Sequence, residues 1–479
     1  MSGWWLLGVT AGLLVSGPAG RGSTTLAPCV RPTRAATQVQ GDVRICPGRY
    51  RIADPSERGV IIAASSGTSI DLTGVTLESG DSVAERYTGI GIASRGVDGI
   101  TVLGGVVRGY RFGVRLEGGR SHRISGGDLS GSRAQRLRST AQRADSADRL
   151  DPARADAIER YGGAIQLRNT VGASVTGVSA RGSQNGIALV EARDSYLADN
   201  DISGNSGWAI HLWRSSHNLI VRNQAERTRR CPAPGSGCAG AAILLREASD
   251  SNTITDNDLT ASSTGVLVTG APPIAHASIG NLIIRNDASL ALESGFAALF
   301  TWSVTFLENR ADSAAAGFRL TRVSASTLRG NTVIGARESG IAVAHGSDNT
   351  IESNVLLGAR VGIRVVAPDA GAPPSRGYRI DDNVLGGVEQ AIVLEGTTGS
   401  RIRGNLIDGV GSGLVIDAAG HGTEVTGNVF LRATGWFIDA PDLVAGGNYW
   451  ATTDANAAAS RVHGRVSVLP WKPASAAGY

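Results

Sequence analysis

Lysine and methionine are almost absent from this 479-residue chain, since Lys472 and Met1 are the single example of each. A Schiff-base mechanism or a lysine general base is therefore improbable. Aromatic residues make up 5% of the chain, charged residues 18%, and the formal net charge is +4. Nucleic-acid-binding proteins usually have dense basic patches with interleaved aromatics, so no nucleic-acid partner is expected. The basic residues are nearly all arginines, which suit carboxylates and other anions.

No apolar run is long enough to cross a bilayer comfortably. The longest near the N-terminus, residues 4–15, has the length of a signal-peptide core and is followed by small residues. No basic residue precedes it, so a buried N-terminal helix is the alternative. We predict that residues 1–22 are a signal peptide, that the protein is secreted or periplasmic, and that it has no membrane partner after cleavage.

Cysteine is scarce, and its four positions fall into two near pairs: Cys29 with Cys46, and Cys231 with Cys238. An even count in local pairs, behind a signal-like segment, predicts two disulfides. Zinc would need four converging ligands, and the CxxC and HxxxH spacings are absent.

Glycine is abundant, with 65 residues, and it marks a repeat between about residues 85 and 440. The unit is Gly-apolar-x-apolar, a polar turn, then apolar-x-x-Asn, and most steps are 22 to 24 residues. One asparagine column fixes the register: Asn200, Asn223, Asn257, Asn286, Asn309, Asn331, Asn354, Asn383, Asn405 and Asn428. Short strands at this period predict an all-β solenoid, a single parallel β-helix with capped ends and three strands per rung, and the family resemblance described below adds that its coil is right-handed.

The predicted organisation follows from this repeat. Residues 23–85 form an N-terminal cap with the first rungs, and residues 446–479 form a C-terminal cap. The β-helix spans 86–445, and its step lengths place insertions at 131–160, 226–240, 270–278 and 367–377. The 131–160 segment is rich in Arg and Asp, and helical i,i+4 pairs are expected over much of it.

The repeat units resemble those of the pectate-lyase-like superfamily of right-handed parallel β-helices. They are also similar to carbohydrate-binding and sugar-hydrolase repeat proteins and to periplasmic copper-maturation proteins. The resemblance covers about three quarters of the chain and implies a fold that carries lyases, hydrolases, epimerases and non-enzymes. It also implies that ligands lie along an outer strand face beside turn insertions.

Alternation along the first strand of each unit points every second residue outward. Polar and aromatic side chains concentrate at these positions between residues 115 and 246, beside two insertions. We therefore expect a groove there. Its predicted binding residues are Arg115, Gln166, Arg168, Trp213 and Arg246, and its predicted catalytic residues are His211, Tyr161, Glu117, Asp156 and Glu159.

The chemistry of these side chains suits an acidic polysaccharide. Arginines can neutralise a uronate carboxylate, Trp213 can stack on a sugar ring, and His211 with Tyr161 can move protons. The leading hypothesis is β-elimination or C5 epimerisation. One alternative is hydrolysis by two carboxylates near the 131–160 insertion, and another is a non-catalytic glycan-binding or scaffold module. The sequence leaves the choice among them, and the oligomeric state, open.

No cofactor and no metal ligand are predicted. Copper maturation is disfavoured because copper sites favour clusters of Met, Cys and His. Asp-rich turns at 199–201 and 381–383 have oxygens that calcium accepts, but those oxygens serve β-turns more often.

Overall fold

The computed structural model describes residues 29–151, 156–233, 238–270, 276–367 and 375–470. The predicted signal peptide lies outside these residues, as do parts of the insertions predicted at 131–160, 226–240, 270–278 and 367–377. In the described residues, strands that are about 22 residues or more apart in sequence pair in parallel. No helix found there is long and apolar enough to cross a membrane.

Three faces of the solenoid carry these strands. The long sheet has 17 strands: Thr37–Val39, Ile61–Ala63, Ile90–Arg95, Phe112–Glu117, Gly163–Arg168, Asn185–Val190, Trp208–Trp213, Ala241–Arg246, Thr264–Thr269, Ser294–Trp302, Ala316–Ser324, Ser339–Ala344, Val361–Val366, Gln390–Glu395, Ser412–Ile416, Ile438–Val444 and Val462–Ser467. The first two and the last of these extend the rungs beyond the residues that the sequence repeat marked.

The second sheet has 15 short strands: Asp42–Arg44, Ser69–Asp71, Thr101–Leu103, Arg123–Ser125, Ser174–Thr176, Tyr196–Ala198, Leu219–Val221, Thr253–Thr255, Leu282–Ile284, Thr305–Leu307, Thr327–Arg329, Thr350–Glu352, Arg379–Asp381, Arg401–Arg403 and Glu424–Thr426.

The third face is less regular. Near the N-terminus it has three strands, Gly48–Arg51, Val75–Glu78 and Val106–Arg108, and near the C-terminus five: Thr332–Ile334, Val355–Leu357, Val384–Gly386, Leu406–Asp408 and Val429–Phe430. Single parallel bridges join the rungs between them. A short pair, Ser375–Arg376 and Thr397–Thr398, completes the strands. This arrangement confirms the parallel β-helix; its right-handed coil stays a prediction.

Helix is rare in the described residues. The α-helices are α1, Ala157–Tyr161, and α2, Ala455–Ala459; the 3-10 turns are Ala84–Arg86 and Ser146–Asp148. The expectation of extensive helix in the 131–160 insertion was wrong. Its backbone amides find distant acceptors instead: Arg138 and Ser139 donate to the Asp148 carboxylate, and Leu150 donates to the carbonyl of Cys238.

The interior is filled by the inward Ile, Val, Leu and Phe residues of each strand, which are almost completely buried. All ten predicted asparagines stack in one ladder, in which each Nδ2 donates to the Oδ1 of the next at 2.8–3.1 Å. Asn448 extends the ladder by one rung. The residue before each of them has a positive φ, as at Arg285 (51°) and Gly404 (67°). The side-chain bonds of the ladder offset the strain of that conformation at non-glycine positions.

Both predicted disulfides are confirmed. Cys29 pairs with Cys46 beside the first rungs, and Cys231 pairs with Cys238 next to the 131–160 insertion. Among the described residues no cysteine is unpaired.

Candidate functional site

The outer face of the long sheet carries the predicted site residues, and their register agrees with the sequence. Across neighbouring strands Arg115 aligns with Gln166, Ala188, His211 and Leu244. The next outward column is Glu117, Arg168, Val190, Trp213 and Arg246. These side chains therefore share one face of the solenoid.

The described residues of the 131–160 insertion close the groove predicted over these strands, because they lie across the sheet rather than beside it. Leu150 belongs to a buried apolar cluster with Trp208, Ala241 and Leu244, and Ile158 of α1 belongs to a second one that includes Phe112 and Trp213. We call the outer face from Phe112–Glu117 to Ala241–Arg246 the covered half. The sequence could locate the insertion in the chain but could not show that its own apolar side chains would fill this face.

Arg230 holds the insertion in place. Its side chain is 1% exposed, and it donates to the carbonyls of Asp148 at 2.6 Å and Ser206 at 3.2 Å and to Gln135 Oε1 at 2.5 Å. One guanidinium thus joins the insertion to the rung beneath it. Sequence reasoning missed this residue because nothing in its local pattern distinguishes it from surface arginines.

A carboxylate clamp lies at the N-terminal edge of the covered half, and it contains four of the predicted site residues. Arg115 donates to both oxygens of Glu159, at 3.2 and 3.5 Å, while Gln166 Nε2 and Arg168 Nη1 each donate to Glu159 Oε1 at 2.9 Å. The carboxylate of Glu117 lies 3.8 Å from a guanidinium nitrogen of Arg115 and 3.1 Å from one of Arg95. The arrangement binds one carboxylate through two cations and an amide, as charge-assisted bonds favour.

His211 does point outward, but it is 1% exposed. Its ring packs between Trp208 and Trp213, with centroids 4.6 and 6.4 Å away. Neither ring nitrogen has a hydrogen-bond partner within the described part of the chain. Burial, with the nearby charge of Arg246, lowers the pKa of His211 to about 3, so the imidazole is neutral at ordinary pH.

His211 and the clamp do not form one reaction centre. His211 is two strands beyond the level of Gln166, about 10 Å at the usual strand spacing, and a general base must lie within hydrogen-bond reach of the proton. The predicted acid Tyr161 packs against the buried apolar cluster that contains Leu150 and Trp208. Asp156 stands just before α1, and Arg246 donates to Glu247 at 3.1 Å.

The open half of the outer face runs from Thr264–Thr269 to Gln390–Glu395. A cavity of about 580 Å³ lies at its covered end and is lined by Arg149, Glu293 and Arg319, among others. A second of about 440 Å³ continues from Arg319 to Arg364 and Glu395. Arg319 lines both cavities, so they adjoin along the outer face, and we call the two together the groove of the open half. Sequence reasoning passed over these rungs because their outward strand residues are mostly Ala, Leu and Thr.

Glu293 is the titratable group that stands out in this groove. Burial raises the pKa of its carboxyl, although Arg319, Thr264 and Arg149 oppose the shift. Thr264 Oγ1 contacts it at 3.4 Å. No strand-face pattern could reveal it, because it precedes the strand Ser294–Trp302 and its surroundings include residues of the 131–160 insertion such as Arg149.

A third opening, of about 250 Å³, flanks the insertion on its other side. Arg115 and Glu117 line it together with Glu57, Arg58 and Arg95, among others. The clamp therefore borders a cleft, and the insertion separates that cleft from the groove of the open half.

These features define a parallel β-helix solenoid with a partly covered outer face. The chain belongs to the NosD family, whose model is described as "Periplasmic copper-binding protein (NosD)" and matches residues 43–224, 151–289 and 274–461. None of the curated proteins compared with the chain matches it.

Several solved structures are similar at low identity. The periplasmic alginate epimerase AlgG is 14% identical with a TM-score of 0.39, over 74% of this chain and 76% of that one. The mannuronan C-5 epimerase AlgE4 A-module of Azotobacter vinelandii is 14% identical at 0.37, over 81% and 91%. A tailspike protein of E. coli bacteriophage HK620, in complex with hexasaccharide, is 11% identical at 0.47, over 84% and 69%. These values are too low to carry an argument about activity.

The side chains that the structure describes do not offer a donor set for the copper in the family's description. In the described residues no three His, Cys, Asp or Glu side chains come together as a metal site would require. Both cysteine pairs are disulfides, and Met1, the single methionine, lies outside the described residues. Soft-metal sites need sulfur or imidazole clusters, so no step through copper follows from these residues. The prediction of no cofactor, like the calcium alternative, stays untested.

Proposed function

We propose that this chain is an exported, extracytoplasmic β-helix protein that binds a polysaccharide, of acidic character, in the groove of the open half. The observation that carries the proposal is the groove itself, which runs along consecutive rungs through the shared residue Arg319. At about 4.8 Å per rung, the six strands from Thr264–Thr269 to Gln390–Glu395 span about 24 Å, which suits an extended polymer.

The groove wall supports the acidic preference. Four arginines line it, and so do four acidic residues: Arg149, Arg319, Arg360 and Arg364, with Asp145, Glu293, Glu338 and Glu395. Two of the arginines are engaged in half-exposed ion pairs, Arg319 with Glu338 at 2.9 Å and Arg364 with Glu395 at 3.2 Å. Such exposed pairs contribute little to stability, so a ligand carboxylate can exchange for the glutamate at small cost.

The elimination or epimerisation chemistry predicted for His211 has no support in this arrangement. A neutral, sealed imidazole two rungs from the clamp cannot reach a proton beside a clamped carboxylate. We therefore propose binding as the function, and catalysis by His211 stays a prediction.

Hydrolysis is a second candidate, favoured by Glu293. A carboxyl with a raised pKa in a glycan groove is suited to protonate a leaving oxygen. Asp145, from the 131–160 insertion, lines the same cavity. If Glu293 is a general acid, wild-type protein releases reducing ends from a bound polysaccharide and Glu293→Gln loses at least about 100-fold in rate. Equal rates, or no reducing ends at all, would remove this candidate.

The binding proposal is tested with the full exported chain against a panel of acidic and neutral polysaccharides, by calorimetry at two salt concentrations. An acidic polysaccharide is expected to bind more weakly at high salt, because exposed charge pairs are screened. Arg319→Ala is expected to weaken binding by about tenfold, the loss of one charged contact. Arg222→Ala is the matched control, since Arg222 forms a similar half-exposed pair with Asp199 next to the second sheet. Equal losses in both variants, or no binding by wild type, would contradict the proposal.

A further inference from the structure

The clamp at the edge of the covered half has properties that a structural ion pair does not need. Gln166 is completely buried, and its Oε1 has no hydrogen-bond partner within the described part of the chain. The Nε of Arg115 is likewise buried and unpaired there. The Oε1 of Gln166 is an acceptor and offers nothing to a carboxylate, but the buried Nε of Arg115 is a costly unpaired donor that an oxygen of a bound anion would satisfy.

The position of the clamp points to a ligand from outside. Arg115 both holds Glu159 and lines the 250 Å³ cleft that flanks the insertion. Arg168 and Glu159 each keep about a third of their side chains exposed, so the carboxylate stays in reach of solvent. An anionic group entering along the cleft meets Arg115 first, and it reaches Gln166 and Arg168 only by taking the place of the Glu159 carboxylate.

We propose that Arg115, Gln166 and Arg168 form a second subsite, for the carboxylate of a uronate-type sugar, and that Glu159 of α1 occupies it as an internal substitute for the ligand. This deepens the proposed function and rests on it for the class of ligand. A ligand carboxylate binds there by displacing Glu159, so the apparent affinity of the clamp is lowered by competition within the chain.

Two substitutions separate the internal ligand from its structural role. Glu159→Ala removes the competing carboxylate, while Glu159→Gln keeps the shape of the side chain and removes its charge. Glu352→Ala is the matched control, because Glu352 pairs with Arg329 at 3.4 Å in the second sheet, away from both grooves. The unfolding midpoint of each variant checks that it is folded.

The probes are galacturonate and mannuronate oligomers and the same oligomers with their carboxyl groups reduced to alcohols, titrated by calorimetry. Glu159→Ala is expected to bind at least one uronate oligomer about tenfold more tightly than wild type, and Glu159→Gln by a smaller factor. The reduced oligomers should show no gain, and adding Arg168→Ala to Glu159→Ala should abolish it. Hydrogen exchange of the backbone amides of α1 reports displacement of the helix independently.

The possible outcomes distinguish failure of the clamp proposal from failure of the open-half groove proposal. If Arg319→Ala weakens uronate binding but Glu159→Ala does not strengthen it, the clamp is only an ion-pair network and the inference is wrong. If Glu159→Ala gains affinity and Arg319→Ala has no effect, the clamp stands and the open-half groove does not. If neither wild type nor Glu159→Ala binds any uronate oligomer, both proposals fail.

Discussion

The covered and open halves of the outer face are consecutive parts of one parallel sheet and share its register, yet one is buried and the other is open to solvent. In the covered half, Trp208, His211 and Trp213 are nearly inaccessible beneath the insertion, whereas Arg319 and Arg364 of the open half line a groove. The repeat therefore determines where side chains point, and the insertion determines whether they meet solvent. In a solenoid of this kind the functional surface is set by what interrupts the repeat.

The largest expected effect comes from replacing Arg230, which joins the 131–160 insertion to the rung beneath it. Arg230→Ala leaves the buried carbonyls of Asp148 and Ser206 without their donor, and should lower the free energy of unfolding by about 3 kcal/mol. Denaturant unfolding with tryptophan fluorescence measures it. Arg432→Ala is the control, because Arg432 is 77% exposed in its pair with Asp408. If Arg230→Ala were as stable as Arg432→Ala, Arg230 would not hold the insertion in place.

Substitutions in the asparagine ladder should change the free energy of unfolding equally in the rungs of the covered half and of the open half. Asn223, in a rung of the covered half, and Asn383, in a rung of the open half, each donate to two backbone carbonyls and to the next Oδ1, and each accepts two hydrogen bonds. Replacing either with Ala should lower the free energy of unfolding by about 2–3 kcal/mol, with nearly equal values. Losses that differ by more than about 1 kcal/mol would show that the insertion supports the ladder beneath it.

A smaller effect on stability, which appears only at acidic pH, is expected from the protonation of His211. Its pKa is lowered from 6.5 to about 3 in the folded protein, so the unfolded chain binds the extra proton and stability falls as pH drops below 6.5. Between pH 7 and pH 4 this group should cost about 2–3 kcal/mol. His211→Leu should remove this part of the loss of stability between pH 7 and pH 4. At pH 7 the variant should be as stable as wild type or more stable, because the imidazole makes no hydrogen bond that the substitution would break. Parallel slopes for the two proteins over this range would contradict the burial of His211.

The same contrast explains what could be predicted from the sequence. The asparagine column and the inward apolar positions recur every rung, so the strands, the ladder and the outward register were predictable. The fate of His211 was not, because it depends on contacts such as Leu150 with Trp208 and Arg230 with Asp148, which join residues far apart in the chain. Periodicity carries no information about where an aperiodic segment packs.

Glu159 illustrates the remaining gap. Sequence analysis proposed it as a catalytic carboxylate and proposed Arg115, Gln166 and Arg168 as binding residues. The structure brings all four together, but the carboxylate that the cations hold belongs to the chain itself. Residue types and outward positions identified the clamp, while its occupant depended on the placement of α1.

The most direct test of this account is amide hydrogen exchange of the wild-type protein with and without a saturating uronate oligomer. If the outer face is the glycan-binding face, protection should appear in the strands and adjoining turns from Thr264–Thr269 to Gln390–Glu395, with little change in the second sheet. Protection centred on the second sheet, or none in a protein shown to bind the oligomer, would contradict the central claim.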